Sequence, residues 1–304
     1  MREEQELPVV FIIYKSMVFV YNEPMSTYSA PAKINLSLKV MGKREDGYHN
    51  VDLLMAKLDL ADELTFQKSN TTRLKCGTEG VPTDESNLVF KAVREFEKVY
   101  GRKAKQNITL TKNVPFGAGL GGGSADAAVT LLALNEILGT GYEYEELHAM
   151  AAAIGSDVPF FLNPVVSRCT GRGEIVTPVP ELAEWSSPIV LIKPAFSVST
   201  PSAYKGLSGA HRMKDVNYGP QMVDGIRLVN ELERAVFTKF PVLGLWKMWM
   251  LRQEGVRAAL MSGSGSTLFA LTETPEQARA LAEAAKAELD PTLWTYCGTV
   301  NPQA

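Results

Sequence analysis

The chain has few of the residues that a disulfide framework, a zinc site or a nucleic-acid surface needs. Three of its 304 residues are cysteine and three are histidine. Cys76, Cys169 and Cys297 are widely spaced and odd in number, which indicates ordinary reduced thiols. The formal net charge is −3, with 31 Lys and Arg against 34 Asp and Glu, and no basic run stands out. Nucleic acids and anionic membranes are therefore poor partner candidates.

The N-terminal region lacks the features of a targeting segment. The apolar stretch 8–21 is short for a membrane span and is interrupted by Lys15. The residues before it carry more acid than base, unlike a signal or transit peptide. We therefore expect residues 1–24 to be an extra strand or a disordered leader, with the organised chain beginning near Met25. A cytoplasmic protein that is a monomer or a weak homodimer is expected.

Hydrophobic residues make up 45% of the chain and charged residues 21%, which is typical of a globular protein. The length allows two domains of ordinary size. A stretch rich in Pro and Ser, residues 177–188, is the candidate seam. It predicts a first domain over 25–185 and a second over 186–304.

Periodicity predicts mixed helix and strand structure. Residues 31–40 alternate apolar and polar side chains, which predicts a half-buried strand with Lys33 and Asn35 on its polar face. Residues 43–51 contain Asp-Gly and predict a turn. Further strands are predicted at 52–67 and 189–194, with one running into the glycine loop over 106–116, strand and turn over 165–179, and a strand, turn and strand over 257–271. Helices are predicted at 85–101, ending at Gly101, and at 124–139, 143–155, 225–238, 241–254 and 274–289.

The most unusual stretch is "PFGAGLGGGSADAA", residues 115–128. Seven of the nine residues 117–125 are glycine or alanine, which is excessive for a simple turn because glycine loses much entropy on ordering. A dinucleotide-binding loop needs a continuously buried strand before it, but the preceding "ITLTK" alternates. A Walker A loop is excluded because no Gly-Lys-Ser/Thr follows.

A different phosphate-binding loop fits these residues better. The glycines let the backbone approach an anion, and Ser124 is placed to cap the helix that follows. Unpaired N–H groups and the positive end of the helix dipole then face a phosphate. The Ser124 hydroxyl can also reach a bound magnesium ion.

At these residues the chain resembles the GHMP kinases, small-molecule kinases that use ATP. The glycine loop, the strand "PAKINLSL" and the loop "MSGSGSTLFAL" occur in the order typical of that family. The resemblance implies an α+β fold, with an N-terminal ATP-binding domain like ribosomal protein S5 domain 2. It also implies a ferredoxin-like C-terminal domain and an active site in the cleft. ATP is the implied co-substrate, with Mg²⁺.

Two further stretches, "KREDGYHNV" and "IGSDVPFFL", resemble the GHMP kinases whose acceptor is a methylerythritol linked to cytidine diphosphate. The resemblance implies transfer of the γ-phosphate of ATP to the 2-hydroxyl of the erythritol moiety, in non-mevalonate isoprenoid precursor synthesis. Two alternatives stay open: another GHMP kinase of the mevalonate or homoserine type, or a non-catalytic nucleotide-binding module.

Phosphoryl transfer depends mainly on positioning and charge neutralisation. Asp157 is the candidate acceptor of the hydroxyl proton, because it matches the family motif and precedes Val158-Pro159. The proline predicts extended backbone at Val158 and therefore a stiff connection. Lys33 is the second catalytic candidate, since an ammonium there can stabilise charge on Asp157 or on the phosphoryl group.

The resemblance also implies binding residues. Asn35, Tyr48, His49 and Tyr204 are expected to contact the acceptor, with His49 bonding the cytosine edge and Tyr204 stacking on the ring. Ser124 and Glu146 are candidate magnesium ligands. The candidate ATP-binding residues are Asn87 and Lys112, both expected at the adenine, and the loop residues Pro115, Phe116, Gly117, Ala118, Gly119, Leu120, Gly121, Gly122, Gly123, Ser124 and Ala125.

Overall fold

The computed structural model describes residues 15–20 and 23–303. The strands are Lys15–Val20 (β1), Glu23–Lys43 (β2), His49–Lys68 (β3), Arg73–Cys76 (β4), Gln106–Thr111 (β5), Ser167–Thr170 (β6), Ile175–Pro178 (β7), Ser187–Lys193 (β8), Gln221–Val223 (β9), Ile226–Asn230 (β10), Val256–Met261 (β11), Leu268–Thr272 (β12) and Trp294–Val300 (β13). The α-helices are Leu88–Tyr100 (α1), Gly122–Ile137 (α2), Tyr144–Ile154 (α3), Thr200–Lys205 (α4), Leu232–Lys239 (α5), Pro241–Met250 (α6) and Pro275–Glu288 (α7). Single 3-10 turns lie at Pro159–Leu162, Pro180–Leu182 and Gly206–Gly209.

The chain forms two compact units, each built from discontinuous segments. The first contains the described residues up to Ala30 together with Asp62–Lys112 and Gly123–Pro164, and the second contains Pro31–Ala61, Asn113–Gly122 and Val165–Ala304. Strands β2 and β3 contribute residues to both units. The predicted domain ranges, 25–185 and 186–304, stay a prediction.

In the first unit, helices α1, α2 and α3 accompany a small sheet. Strand β5 pairs antiparallel with β3 and parallel with β4, and β1 pairs antiparallel with β2. Helix α1 begins after Asn87, whose side chain accepts from Val89 N, and ends at Gly101 with φ 71°. This left-handed residue is the helix stop predicted from glycine. Helix α2 is buried continuously from Ala125 to Leu134, as its apolar sequence predicts.

The second unit is organised by a sheet in the order β11-β12-β8-β13-β3-β2-β10-β9. One apolar core lies within this unit and joins residues of β2, β3, β8, β11 and β12 with Val114, Ala118 and Leu120 of the glycine loop. Helix α7 packs against β8 and β13. Helix α7 starts with a capping box between Thr274 and Gln277. The glycine loop is therefore anchored by apolar side chains in the core of this unit.

The predicted helix over 225–238 is wrong in its first half. Residues Ile226–Asn230 form β10, which pairs antiparallel with β9, and the helix begins at Leu232. Asp224 and Gly225 both have positive φ, 51° and 79°, and make the tight hairpin turn that joins the two strands. Strands β4, β9 and β13 and helix α4 were not predicted. Of the apolar stretch 8–21, residues 15–20 form β1, while residues 8–14 and 21 lie outside the described residues.

Candidate active site

Lys33 and Asn35 lie side by side on the polar face of β2. The Lys33 ammonium donates a hydrogen bond of 2.7 Å to Asn35 Oδ1, and Lys33 N donates to Leu120 O at 2.8 Å. Lys33 is 4% exposed and Asn35 1% exposed, so the prediction of a half-buried strand is wrong at these two positions. A buried ammonium is stable only with compensating polar partners. This face of β2 is therefore a buried polar site rather than a solvent-exposed strand surface.

The glycine loop comes very close to the loop that follows β11. Gly117, Gly119 and Gly121 have φ of 65°, 78° and 71°, a region that favours glycine. A Cβ on Gly119 would collide with the Ser262 carbonyl oxygen and lie 2.8 Å from that of Gly265. Ser262 Oγ donates to Gly119 O at 3.0 Å. Part of the glycine content is thus a packing requirement, which the sequence interpretation did not include.

The C-terminal loop also reaches the polar pair on β2. Gly263 has φ 55°, and a Cβ there would lie 3.4 Å from Asn35 Oδ1 and 3.5 Å from Lys33 Nζ. The loop that follows β11, the glycine loop and the middle of β2 around Lys33 therefore meet within the second unit. These are the three stretches that carried the family resemblance.

Helix α2 begins at Gly122, two residues before Ser124. Ser124 thus lies in the first helical turn, and the prediction that it caps the helix is wrong. The amides of a first turn have no acceptor inside their own helix. Together with the helix dipole, such amides favour an anion, and phosphate binding at this turn stays a prediction. Phe116 in the preceding loop is 65% exposed.

Lys112, a predicted ATP-binding residue, is held in a buried ion cluster. Its ammonium contacts a carboxylate oxygen of Asp62 on β3 and lies 2.9 Å from Asp126 Oδ2 on α2. All three side chains are at most 5% exposed. The pKa of Asp126 is raised to about 7, mainly by burial and in addition by the nearby Asp62 carboxylate, against the opposing charge of Lys112. The sequence interpretation missed both aspartates, although an aspartate in the apolar run of α2 was a usable signal.

Asn87, the other residue predicted to bind adenine, has a structural role at α1. Its Oδ1 accepts from Val89 N at 2.8 Å, and its Nδ2 donates to Pro82 O at 2.6 Å. The side chain is thus committed to an N-cap and to the preceding loop. Contact with adenine stays a prediction for both Asn87 and Lys112.

Asp157 is half-buried in the turn between α3 and the 3-10 turn Pro159–Leu162. The prediction of extended backbone at Val158 is wrong, because its φ is −64° and its ψ is −44°. Val158 and Phe160 are fully buried, so core packing outweighs the local preference of a residue before proline. Asp157 belongs to the first unit and Lys33 to the second, and their joint action stays a prediction.

Glu146 has a helix-capping role. It forms a capping box with Glu143 at the start of α3, where Glu146 Oε2 accepts from Glu143 N at 3.0 Å. In the part of the chain that the structure describes, no group of three His, Cys, Asp or Glu side chains could hold a metal ion. A magnesium ion carried by ATP needs only one or two protein ligands.

His49 and Tyr204, predicted to bind the cytosine ring, are in contact. Their rings stack with centroids 5.0 Å apart and planes 26° apart. A pyrimidine does not fit between rings at that separation, so it can stack only on an outer face. Tyr48 is 55% exposed, and the Arg172 guanidinium lies 5.2 Å from its ring centroid. The turn after β2 and helix α4 thus form an aromatic surface that is open to solvent.

The fold and these loops define a class of small-molecule kinase. Residues 87–163 match the model of the GHMP kinases N terminal domain, and residues 222–290 match that of the GHMP kinases C terminal region. The chain belongs to the GHMP kinase family, whose members are small-molecule phosphotransferases, and ATP use follows from that membership.

Two relatives and one solved structure, each at least 34% identical to this chain, carry the name of the same enzyme. A 4-diphosphocytidyl-2-C-methyl-D-erythritol kinase of Methylacidiphilum infernorum is 43% identical over 269 residues, covering 87% of this chain and 93% of its own. The same-named protein of Protochlamydia amoebophila is 41% identical over 242 residues, covering 80% and 83%. A solved 4-(cytidine 5'-diphospho)-2C-methyl-D-erythritol kinase superposes with TM-score 0.74 at 34% identity, covering 91% of this chain and all of that one.

More distant structures share the fold alone. A mevalonate kinase superposes with TM-score 0.63 at 10% identity, covering 91% of this chain and 99% of its own. A homoserine kinase from Cytophaga hutchinsonii gives 0.61 at 19% identity, covering 93% and 96%. The predicted α+β fold and the GHMP kinase resemblance are confirmed. Among the described residues, no helix has the length and apolar character of a membrane span.

Proposed function

We propose that the chain transfers the γ-phosphate of ATP to the 2-hydroxyl of 4-diphosphocytidyl-2-C-methyl-D-erythritol, in non-mevalonate isoprenoid precursor synthesis. The observation that carries the proposal is the meeting of the buried Lys33–Asn35 pair, the glycine loop and the Gly263 loop in one unit. The stacked rings of His49 and Tyr204 supply a surface for a pyrimidine base. The shared name of the relatives agrees with that acceptor.

In the proposed reaction, the acceptor hydroxyl oxygen forms a bond to the γ-phosphorus while the bond to the β,γ-bridging oxygen breaks and ADP leaves. The hydroxyl proton passes to the Asp157 carboxylate. Lys33 stabilises the negative charge of the transferring group, and Asn35 holds the ammonium of Lys33 in place. The amides of the glycine loop and of the first turn of α2 bind the phosphates. Such a loose transition state needs charge placement more than covalent chemistry.

Magnesium is part of the proposal, since it neutralises phosphate charge when it is bound with ATP. The Ser124 hydroxyl, in the first turn of α2, is the proposed protein ligand of this ion. Glu146 fits less well, because its carboxylate already accepts from the start of α3. A monomeric or weakly dimeric cytoplasmic enzyme stays a prediction.

An ADP-release assay with the full chain tests the function. The panel contains 4-diphosphocytidyl-2-C-methyl-D-erythritol, 2-C-methyl-D-erythritol 4-phosphate, mevalonate and homoserine, each with ATP and Mg²⁺. Turnover is expected with the first alone, and phosphorus NMR of the product should show a new phosphomonoester at the 2-oxygen. Turnover of 2-C-methyl-D-erythritol 4-phosphate, mevalonate or homoserine at the same rate as the cytidyl acceptor contradicts the proposed acceptor. ATP binding without turnover on any acceptor would point to a non-catalytic module.

A further inference from the structure

Two buried side chains outside the three family motifs hold the start of the C-terminal loop. Asn230 ends β10, Glu233 lies in the first turn of α5, and Met261 ends β11. Asn230 Nδ2 donates to Met261 O at 2.7 Å and to Gly263 O at 2.8 Å. Met261 N donates to Glu233 Oε1 at 2.9 Å. Asn230 and Glu233 therefore hold the carbonyl and the amide of Met261 by hydrogen bonds, and we call these two side chains the clamp.

The clamp is itself fixed by further bonds. Asn230 Oδ1 accepts from Leu232 N at 2.9 Å. Glu233 Oε2 accepts from Lys247 Nζ at 2.6 Å, and Lys247 also donates to Asn217 O at 2.7 Å. Asn230 is 3% exposed, and Glu233 and Lys247 are 1% exposed. A buried ion pair adds little net stability over an apolar core, so a requirement for one definite geometry is the better reason for it here.

The clamped segment leads directly to the catalytic candidates. From Met261 the chain enters the loop in which Ser262 Oγ bonds Gly119 O. A Cβ added to Gly263 would lie 3.5 Å from Lys33 Nζ and 3.4 Å from Asn35 Oδ1, so only a residue without a side chain leaves space beside these two groups. Gly263 O is one of the two carbonyls that Asn230 holds. The position of the Gly263 backbone beside Lys33 thus depends on Asn230.

We propose that Asn230 and Glu233 are positioning residues for Lys33, acting through the backbone of Met261 and Gly263. Their proposed effect on turnover rests on the proposed function, but their effect on Lys33 does not. Without the clamp, the loop moves away from β2 and the Lys33 ammonium gains freedom and solvent. Misplacement of a catalytic group by about an ångström lowers the rate of the chemical step up to about a hundredfold.

The test compares Asn230→Asp with the matched control Asn301→Asp. Both variants remove an amide donor that bridges backbone carbonyls, since Asn301 Nδ2 donates to the carbonyls of Leu182, Ala183 and Trp185. Both asparagines are buried in the second unit. None of these three carbonyls lies in the kinase motifs, so the Asn301 variant reports the general effect of losing an amide that bridges backbone carbonyls.

Lysine acetylation followed by mass spectrometry is the first readout, with the exposed Lys43 as the dose reference. We expect Lys33 to be labelled several-fold faster in Asn230→Asp than in wild type, and unchanged in Asn301→Asp. Steady-state kinetics is the second readout. Asn230→Asp should lower kcat about tenfold to a hundredfold while the KM for ATP changes less than about threefold.

A second variant covers the case in which Asn230→Asp does not fold. Gly263→Ala places a methyl group 3.1 Å from Gly119 O and near Lys33, and should give the same labelling and kcat pattern. If Lys33 is labelled no faster than in wild type, in whichever of these two variants folds, the inference is overturned. This outcome does not depend on which acceptor the enzyme uses. A wild-type enzyme inactive on the cytidyl acceptor would refute the proposed function, while the labelling result would still decide the role of Asn230.

Discussion

Gly119 and Ser262 are joined by a hydrogen bond, although they are 143 positions apart in the chain. Ser262 Oγ donates to Gly119 O, and no Cβ could be added to Gly119 without striking the Ser262 carbonyl oxygen. The glycine loop therefore serves two purposes in the proposed enzyme. Its amides are proposed to bind a phosphate, and its lack of side chains allows a second loop to pack on it.

Gly119→Ala should destabilise the protein strongly. Positive φ and the collision with the neighbouring loop together should lower the free energy of unfolding by about 2–4 kcal/mol. Gly141→Ala is the matched control, because its φ is 68° and nothing lies within 4 Å of the new methyl group. The control should lose only about 1 kcal/mol. Urea unfolding measures both, and equal losses in the two variants would contradict the packing role.

Lys33→Met should lower kcat by more than it raises the KM for ATP, because the ammonium acts on developing charge in the transition state. Lys39→Met on the same strand is the control, since Lys39 is partly exposed. Its kinetics should match those of wild type. Steady-state assays with varied ATP and acceptor give the comparison. A Lys33→Met enzyme with unchanged kcat would remove Lys33 from the proposed mechanism.

Asp157→Asn should remove nearly all turnover, because the amide cannot accept the hydroxyl proton. ATP binding, measured by calorimetry, should stay within a few-fold of wild type, since Asp157 lies outside the glycine loop. A variant that keeps a tenth or more of the wild-type kcat would show that Asp157 is not an essential base.

His49→Ala and Tyr204→Ala should each raise the KM for the cytidyl acceptor. Loss of a ring stack costs about 1 kcal/mol and loss of a polar contact about 1–3 kcal/mol, which is roughly tenfold in affinity. Because the two rings stack on each other, the double variant should raise KM by less than the product of the single effects. The exposed His211 supplies a control, and His211→Ala should change nothing. Acceptor KM unchanged in both single variants would contradict the base-binding surface.

Lys112→Met should be severely destabilising, because it leaves two buried carboxylates without their counter-charge. The expected loss is about 3–5 kcal/mol. Adding Asp126→Asn to Lys112→Met should recover part of that loss, since one of the carboxylates is neutralised. Guanidinium unfolding of the single and double variants measures the coupling. Strictly additive losses would contradict an energetic connection between Lys112 and Asp126.

Local signals in the sequence predicted most elements correctly. Gly101 marks the end of α1 because glycine adopts positive φ without strain, and Thr274 with Gln277 marks the start of α7 because the two side chains cap each other. Both effects act within a few residues. The predicted helix at 225–238 failed for the opposite reason, since pairing with β9 decided the structure of Ile226–Asn230.

The sequence by itself determined the family, because each of the three ordered motifs, the glycine loop among them, is a contiguous run of residues. Only the tertiary structure decided that Lys33 and Asn35 are buried, and that Asp62 and Asp126 enclose Lys112. It alone brought Asn230 to the loop beside Lys33. The physical reason is distance along the chain. Periodicity predicts which face of an element is apolar. The partner of a buried polar group lies in a remote segment, and no local pattern predicts which one.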